Sequence, residues 1–261
     1  MDLNLNGKTA LVCGSTQGIG LATARELAGM GARLVLVARN EDKLKAAVAE
    51  LQNINAANHS YLVADFSHPD QLDDALKAFT ANDAAHILVN NTGGPPPGKA
   101  IDADLEAFRI AFNQHLICNH LLATHLVPGM RKGGYGRIIN VISTSVKQPL
   151  PNLGVSNTVR GAVANWSKTL ANELGPDGIT VNNVLPGATD TERLKGIVER
   201  KAAATGKSEA EALDAMAQQV PLKRVAKPEE VANAIAFLAS PAAAYISGIN
   251  VPVDGGRTAC L

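Results

Sequence analysis

The sequence predicts an α/β protein with a parallel β-sheet covered by helices on both faces. Three observations carry this. Short β-branched or Leu-rich runs alternate with Ala-rich stretches of helical spacing along the whole chain. The runs are mostly apolar, as strands buried on both faces require. No linker rich in Pro, Gly or Ser divides the 261 residues, so a single domain over 1–261 is expected. Each crossover should be right-handed.

In order, the strands are read at 9–13, 34–38, 60–63, 87–90, 137–142, 180–184 and 249–253. Each is a short run rich in Val, Ile, Leu or Thr. Between them, helices are read near 18–30, 41–53, 69–81, 103–131, 155–174, 191–217 and 228–239. Ala and Leu recur there at helical spacing, and several starts carry Asp or Glu. The stretch 92–99 (TGGPPPGK) is a stiff loop. The segment 191–220, with Glu192, Arg193, Lys195, Glu199, Arg200 and Lys201, is the most polar part and ends before Pro221. It reads as surface helices, either merely solvated or forming a lid over a ligand at the strand C-termini.

Composition excludes several functions. Hydrophobic residues make up 46%, which rules out disorder. Lys plus Arg (24) balances Asp plus Glu (24), leaving no excess charge for nucleic-acid phosphates or a membrane surface. Aromatics at 3% argue against a base-stacking platform. Cys13, Cys118 and Cys260 are odd in number and lack CxxC spacing, fitting a reducing compartment. No secretory signal or spanning run is visible, so a cytoplasmic protein is expected.

One motif carries chemistry at once. Gly14, Ser15, Thr16, Gln17, Gly18, Ile19 and Gly20 follow the first strand and open a helix. Glycines let the backbone turn tightly and approach a pyrophosphate, while the helix N-terminus offers free N–H groups. A dinucleotide site that prefers NAD has an acidic residue near the end of the second strand. Here Ala38 is followed by Arg39, with no acid at that strand end. A guanidinium suits a 2′-phosphate, which predicts NADP(H) over NAD(H), unless Arg39 is simply solvated.

Four further features join this turn: Val63-Ala64-Asp65; Asn90-Asn91-Thr92-Gly93; Pro186-Gly187; and Tyr245-Ile246-Ser247-Gly248 with Val253-Asp254-Gly255-Gly256. Together they resemble the short-chain dehydrogenase/reductase family, nearest to its β-ketoacyl-carrier-protein reductase type, across essentially the whole chain. The resemblance implies a single-domain Rossmann fold with a seven-stranded parallel sheet in the order 3-2-1-4-5-6-7. It also implies a cofactor held by the glycine turn, Arg39, Asp65, Phe66, Asn91, Gly93, Pro186, Gly187, Thr189 and Thr191. Asp65 would lie by the adenine, Asn90 would brace the cleft, and Thr189 and Thr191 would lie near the carboxamide and pyrophosphate. A homotetramer or homodimer is implied, with the helices around 103–131 and 155–174 packing across subunits.

The family's active site resembles an Asn-Ser-Tyr-Lys tetrad. Counting from Gly136 to Ile142 places its Ser at Ser143. The Tyr and Lys positions fall on Ser156 and Arg160, and the Asn position falls on His115. An alkyl hydroxyl ionises roughly three or more pH units above a phenol, about 4 kcal/mol, so Ser156 cannot act as the acid that Tyr is. Arg160 stays charged and cannot relay protons, yet it can grip a ribose and stabilise an alkoxide. Tyr61, Tyr135 and Tyr245 offer no replacement. His115, titrating near neutrality, and Lys147, on the loop after Ser143, are candidates for the proton.

The expected function is hydride transfer between a nicotinamide and a small-molecule carbonyl or alcohol at a non-standard site. Ser143 and Ser156 would bond the substrate oxygen, and Arg160 would supply charge. Two alternatives remain: a catalytically inactive NADP(H)-binding sensor or partner, and a lyase or epimerase with a tightly held cofactor. No metal ligands, nucleic-acid contacts or membrane contacts are expected.

Overall fold

The computed structural model describes residues 1–260. Its seven strands are β1 (Thr9–Cys13), β2 (Arg33–Ala38), β3 (Ser60–Val63), β4 (Ile87–Asn90), β5 (Gly136–Val141), β6 (Ile179–Pro186) and β7 (Asn250–Val253). All six pairings are parallel, in the order β3-β2-β1-β4-β5-β6-β7. The sheet order is the one expected.

Alternation along each strand splits the core into two layers. Ala10, Val12, Leu34, Leu36, Ile87, Val89 and Val184 face one side, packing on α1 (Gly18–Gly29), α2 (Glu41–Gln52) and α9 (Pro228–Ala239). Leu11, Cys13, Val35, Val37, Leu88, Ile138 and Val181 face the other. They meet α3 (Pro69–Thr80), α5 (Cys118–Lys132) and the C-terminal part of α6 (Gly154–Leu174). Burial on both faces is why these strands read as apolar runs.

A polar feature runs across the sheet at one level. Asn90, Asn140, Asn183 and Asn250 are direct register partners on β4, β5, β6 and β7. Asn90 Nδ2 donates to Asn140 Oδ1 at 2.7 Å, and Asn140 Nδ2 to Asn183 Oδ1 at 3.0 Å. Asn183 Nδ2 donates to Asn250 Oδ1 at 2.8 Å, and Ser167 Oγ of α6 accepts from Asn140 at 2.9 Å. The first three asparagines are buried.

Two expected helices are divided. The stretch 103–131 becomes α4 (Leu105–Phe112), a π-turn (Asn113–Ile117) and α5. Asp104 starts α4 by accepting from Ala107 N at 2.6 Å. The wider π-turn re-aims Gln114 and His115, which a regular helix would have placed elsewhere. The stretch 191–217 becomes α7 (Glu192–Thr205) and α8 (Glu209–Ala217). Gly206, at φ +68°, closes α7 in the left-handed region, and Ser208 and Glu211 form a capping box that opens α8. No helix among the described residues is long and apolar enough to cross a membrane. Cys13, Cys118 and Cys260 are free; burial pushes the first two thiols up, Cys118 to about 12.

Candidate active site

The C-terminal ends of β1, β2 and β4 open into a cleft of about 550 Å³. It is lined by Gly14, Thr16, Gln17, Gly18 and Ile19 of the first turn, Arg39 after β2, Asp65 and Phe66 after β3, Asn91 and Gly93 after β4, and Thr191. This is the crevice where open α/β sheets bind ligands.

The turn cannot be built without glycine. Gly14 and Gly18 have φ of +58° and +54°. A Cβ on Gly20 would lie 2.1 Å from the Gly14 carbonyl oxygen. Gly20 is therefore a packing residue beneath the turn. Ser15 is buried and its hydroxyl donates to Val37 O at 3.3 Å, so it anchors the turn to β2. Asn91 Nδ2 donates to Cys13 O and Gly14 O at 3.2 and 3.3 Å. The bracing expected of Asn90 thus belongs to Asn91, because Asn90 is drawn into the asparagine ladder.

Helix α1 begins at Gly18 with no side-chain cap and no acidic residue in its first turn. Its first N–H groups are free to meet an anion. By contrast, Asn40, Asp104, Thr191 and Ser208 cap α2, α4, α7 and α8 with their side chains.

At the far end, Arg39 is 75% exposed, and its Nη1 lies 3.9 Å from Asp65 Oδ2. The absence of an acid at the β2 end holds in sequence, but β3 brings Asp65 alongside. Lys43, one turn into α2, lines the same end and was not foreseen. Its signal was its place four residues after Arg39.

The expected catalytic residues lie outside the cleft lining, on the π-turn, the loop after β5 and α6. Ser143, just past β5, accepts from Ser145 N at 3.1 Å and starts the short helix Thr144–Val146. Lys147 closes that helix at the surface side of the loop, partly exposed. Ser156 and Arg160 lie one turn apart on α6, both buried. Arg160 Nη1 donates to Val141 O at 2.7 Å, and its Nε has no partner. Burial and the nearby Arg193 lower its pKa to about 10, so it is still charged at neutral pH.

His115 lies on the π-turn, 1% exposed, with Nε2 unpartnered. Burial, then Arg160 and Arg193, push its pKa down to about 2. The expectation that it titrates near neutrality is therefore corrected: desolvation beside two guanidiniums keeps it a neutral imidazole. Arg193, read from the sequence only as part of the polar segment 191–220, is brought into the cleft. It projects from the first turn of α7, lines the cleft, and donates from Nη1 to Gly94 O at 2.8 Å. Pro186 ends β6, and Gly187 and Thr189 follow it. Thr189 Oγ1 lies 3.2 Å from Gly187 O, and Thr191 Oγ1 lies 3.3 Å from Thr189 O.

Comparison with known proteins agrees with this geometry. A family model described as Enoyl-(Acyl carrier protein) reductase matches residues 14–258. The chain is 34% identical to the 3-oxoacyl-[acyl-carrier-protein] reductase FabG of Vibrio cholerae, covering 97% of this chain and 98% of that one. An L-sorbose reductase of Gluconobacter frateurii, solved with NADPH and L-sorbose, superposes with a TM-score of 0.94 at 35% identity over all of both chains. A protein described as a short chain dehydrogenase/reductase family protein matches at 31% identity and TM-score 0.84, over 98% of this chain and all of the other. Sheet order, glycine turn and these relatives together make the chain a member of the short-chain dehydrogenase/reductase family.

Proposed function

We propose that the chain is an NADP(H)-dependent reductase or dehydrogenase acting on a small carbonyl or alcohol substrate, at a site where the usual Tyr and Lys are Ser156 and Arg160. The observation that carries this reading is the glycine-built cleft ending in an uncapped helix N-terminus, with two cations at its other end. That donor set fits a 2′-phosphorylated dinucleotide. The uncapped amides of α1 and Thr191 would hold the pyrophosphate, Arg39 and Lys43 the 2′-phosphate, and Asp65 and Phe66 the adenine. The L-sorbose reductase relative, solved with NADPH, supports the choice.

When bound, the nicotinamide supplies or accepts a hydride. The protein's own residues do the rest. Ser143 and Ser156 hydrogen-bond the substrate oxygen. Arg160, fixed by Val141 O and without a carboxylate partner, stabilises negative charge developing on that oxygen. His115, being neutral, positions water or substrate through its free Nε2 rather than donating a proton as imidazolium. The proton then comes from solvent or from Lys147. A lid over 191–220 and a cytoplasmic location belong to the same reading. So does self-association through the α4–α5 side, where Leu105, Ile110 and Ile117 are exposed.

The test pairs binding with turnover. NADPH and NADH affinities are measured first, and then a carbonyl panel is assayed with wild type, S143A and the double variant S156Y/R160K. Tighter NADPH binding and wild-type turnover lost in S143A are expected. Reduction by the double variant alone would reject the enzyme reading in favour of an inactive nucleotide binder.

A further inference from the structure

Arg193 and Arg160 converge on one region without a counter-ion. Arg193 reaches the loop after β4 through Gly94 O, and His115 meets the same loop at the Gly93 backbone, with the charges of both arginines lowering the pKa of His115. Neither arginine has a carboxylate within 4 Å among the described residues, although most charged surface arginines here do. Arg160 is 8% exposed, and its Nε finds no acceptor; His115 Nε2 is equally orphaned. A buried cation with unmade hydrogen bonds is costly, and a bound anion removes that cost. A Cβ on Gly94 would come within 2.6 Å of the Arg193 guanidinium, which lies against the loop after β4.

The cofactor does not explain both arginines. On the proposed reading its phosphates would be held by the uncapped N-terminus of α1 and by Arg39 and Lys43 at the opposite end of the cleft. Resting on the reductase reading above, we propose that Arg193, backed by Arg160, is an anion grip, and that the substrate carries a carboxylate next to its reacting carbonyl, as in a 2-oxo acid. A guanidinium fork matches a carboxylate in two parallel hydrogen bonds. In the reduction, R–CO–COO⁻ plus NADPH plus H⁺ gives R–CHOH–COO⁻ plus NADP⁺. The carbonyl carbon gains the hydride, and its oxygen takes the proton. The carboxylate stays on Arg193 and leaves the carbonyl oxygen to Ser143 and Ser156. Because Arg193 rides on α7, its separate bond to Gly94 O ties that helix to the loop after β4.

The experiment measures binding without turnover. Protein saturated with NADP⁺ is titrated calorimetrically with pyruvate, phenylpyruvate, their methyl esters and dihydroxyacetone phosphate. Wild type, R193K and R193Q are compared, and the acid-to-ester ratio of kcat/KM is measured alongside. Wild type is expected to favour an acid over its ester by at least tenfold. R193Q should lose most of that preference and R193K only part. Failure to bind either dinucleotide would defeat the reductase reading itself. Wild type that loads NADP⁺ yet prefers neither acid over its ester would overturn only the anion grip. An R193Q defect that falls on NADPH affinity instead would assign Arg193 to the cofactor. Arg193-dependent binding of dihydroxyacetone phosphate alone would replace carboxylate by phosphate, and so also overturns the assignment.

Discussion

Replacing Gly20 by alanine sets a local preference against a steric limit. In an open helix position, Gly→Ala stabilises by about 0.5–1 kcal/mol because the unfolded chain has less freedom to lose. At Gly20 the added Cβ would stand 2.1 Å from the Gly14 oxygen, 2.7 Å from its carbonyl carbon and 2.8 Å from Asn91 Nδ2. Two of those atoms are backbone and cannot swing aside. Overpacking of this kind costs about 1–3 kcal/mol. Gly29, at the end of the same helix, has nothing within 4 Å of its Cβ position and no positive φ, so it is the internal control. G20A is therefore expected to fall about 1–3 kcal/mol below G29A in urea denaturation. In a chain of this size that is roughly 2–4 °C in Tm per kcal/mol. The same displacement moves Gly14 and lifts the turn, so NADPH affinity, followed by fluorescence, should drop at least tenfold in G20A and hold in G29A. Equal stability of the two variants with unchanged NADPH binding would refute the steric argument and the turn's assigned role together.

Two other outcomes follow from the site. R39A should weaken NADPH by roughly tenfold, about 1.5 kcal/mol for one charge-assisted contact, and leave NADH nearly untouched. Because Arg39 is largely exposed, the NADPH preference in wild type should shrink with added salt; a salt-independent preference would point elsewhere. His115 is neutral in the fold, with a pKa near 2, against about 6.5 when unfolded. Its folded pKa is depressed, so its penalty is absent above about pH 6.5 and grows as pH falls toward 2. Between pH 7 and 5 the wild type should lose about 2 kcal/mol more stability than H115Q, read from denaturation at each pH. Parallel pH profiles would show that His115 is not held neutral.

The sheet was legible because strands buried on both faces leave unbroken apolar runs, and all seven were located within a few residues. The breaks in 103–131 and 191–217 were harder. The π-turn at Asn113–Ile117 leaves no mark in apolar spacing, since it adds one residue to a turn without changing composition. The second break was readable in principle: Gly206 followed by Ser208-x-x-Glu211 is a stop and a start. In the site, the glycine turn could be read because backbone geometry alone demands those residues. Arg193 could not be chosen from other surface cations, because its place in the cleft depends on which loop it faces across it. The ionisation of His115 could not be read, since its burial and two cationic neighbours come from separate segments.

The row of amides from Asn90 to Asn250 has a consequence for how accurately the molecule assembles. A parallel strand displaced by two residues still presents its apolar side chains to the correct faces, so oiliness alone tolerates the error. Such a slip leaves a misplaced carboxamide of Asn90, Asn140 or Asn183 among hydrocarbon neighbours, at roughly 1–3 kcal/mol apiece. The rungs therefore act as a height gauge. They fix how far β4, β5 and β6 protrude before their loops depart, and hence how far apart Asn91, Ser143 and Thr189 stand before any small molecule arrives.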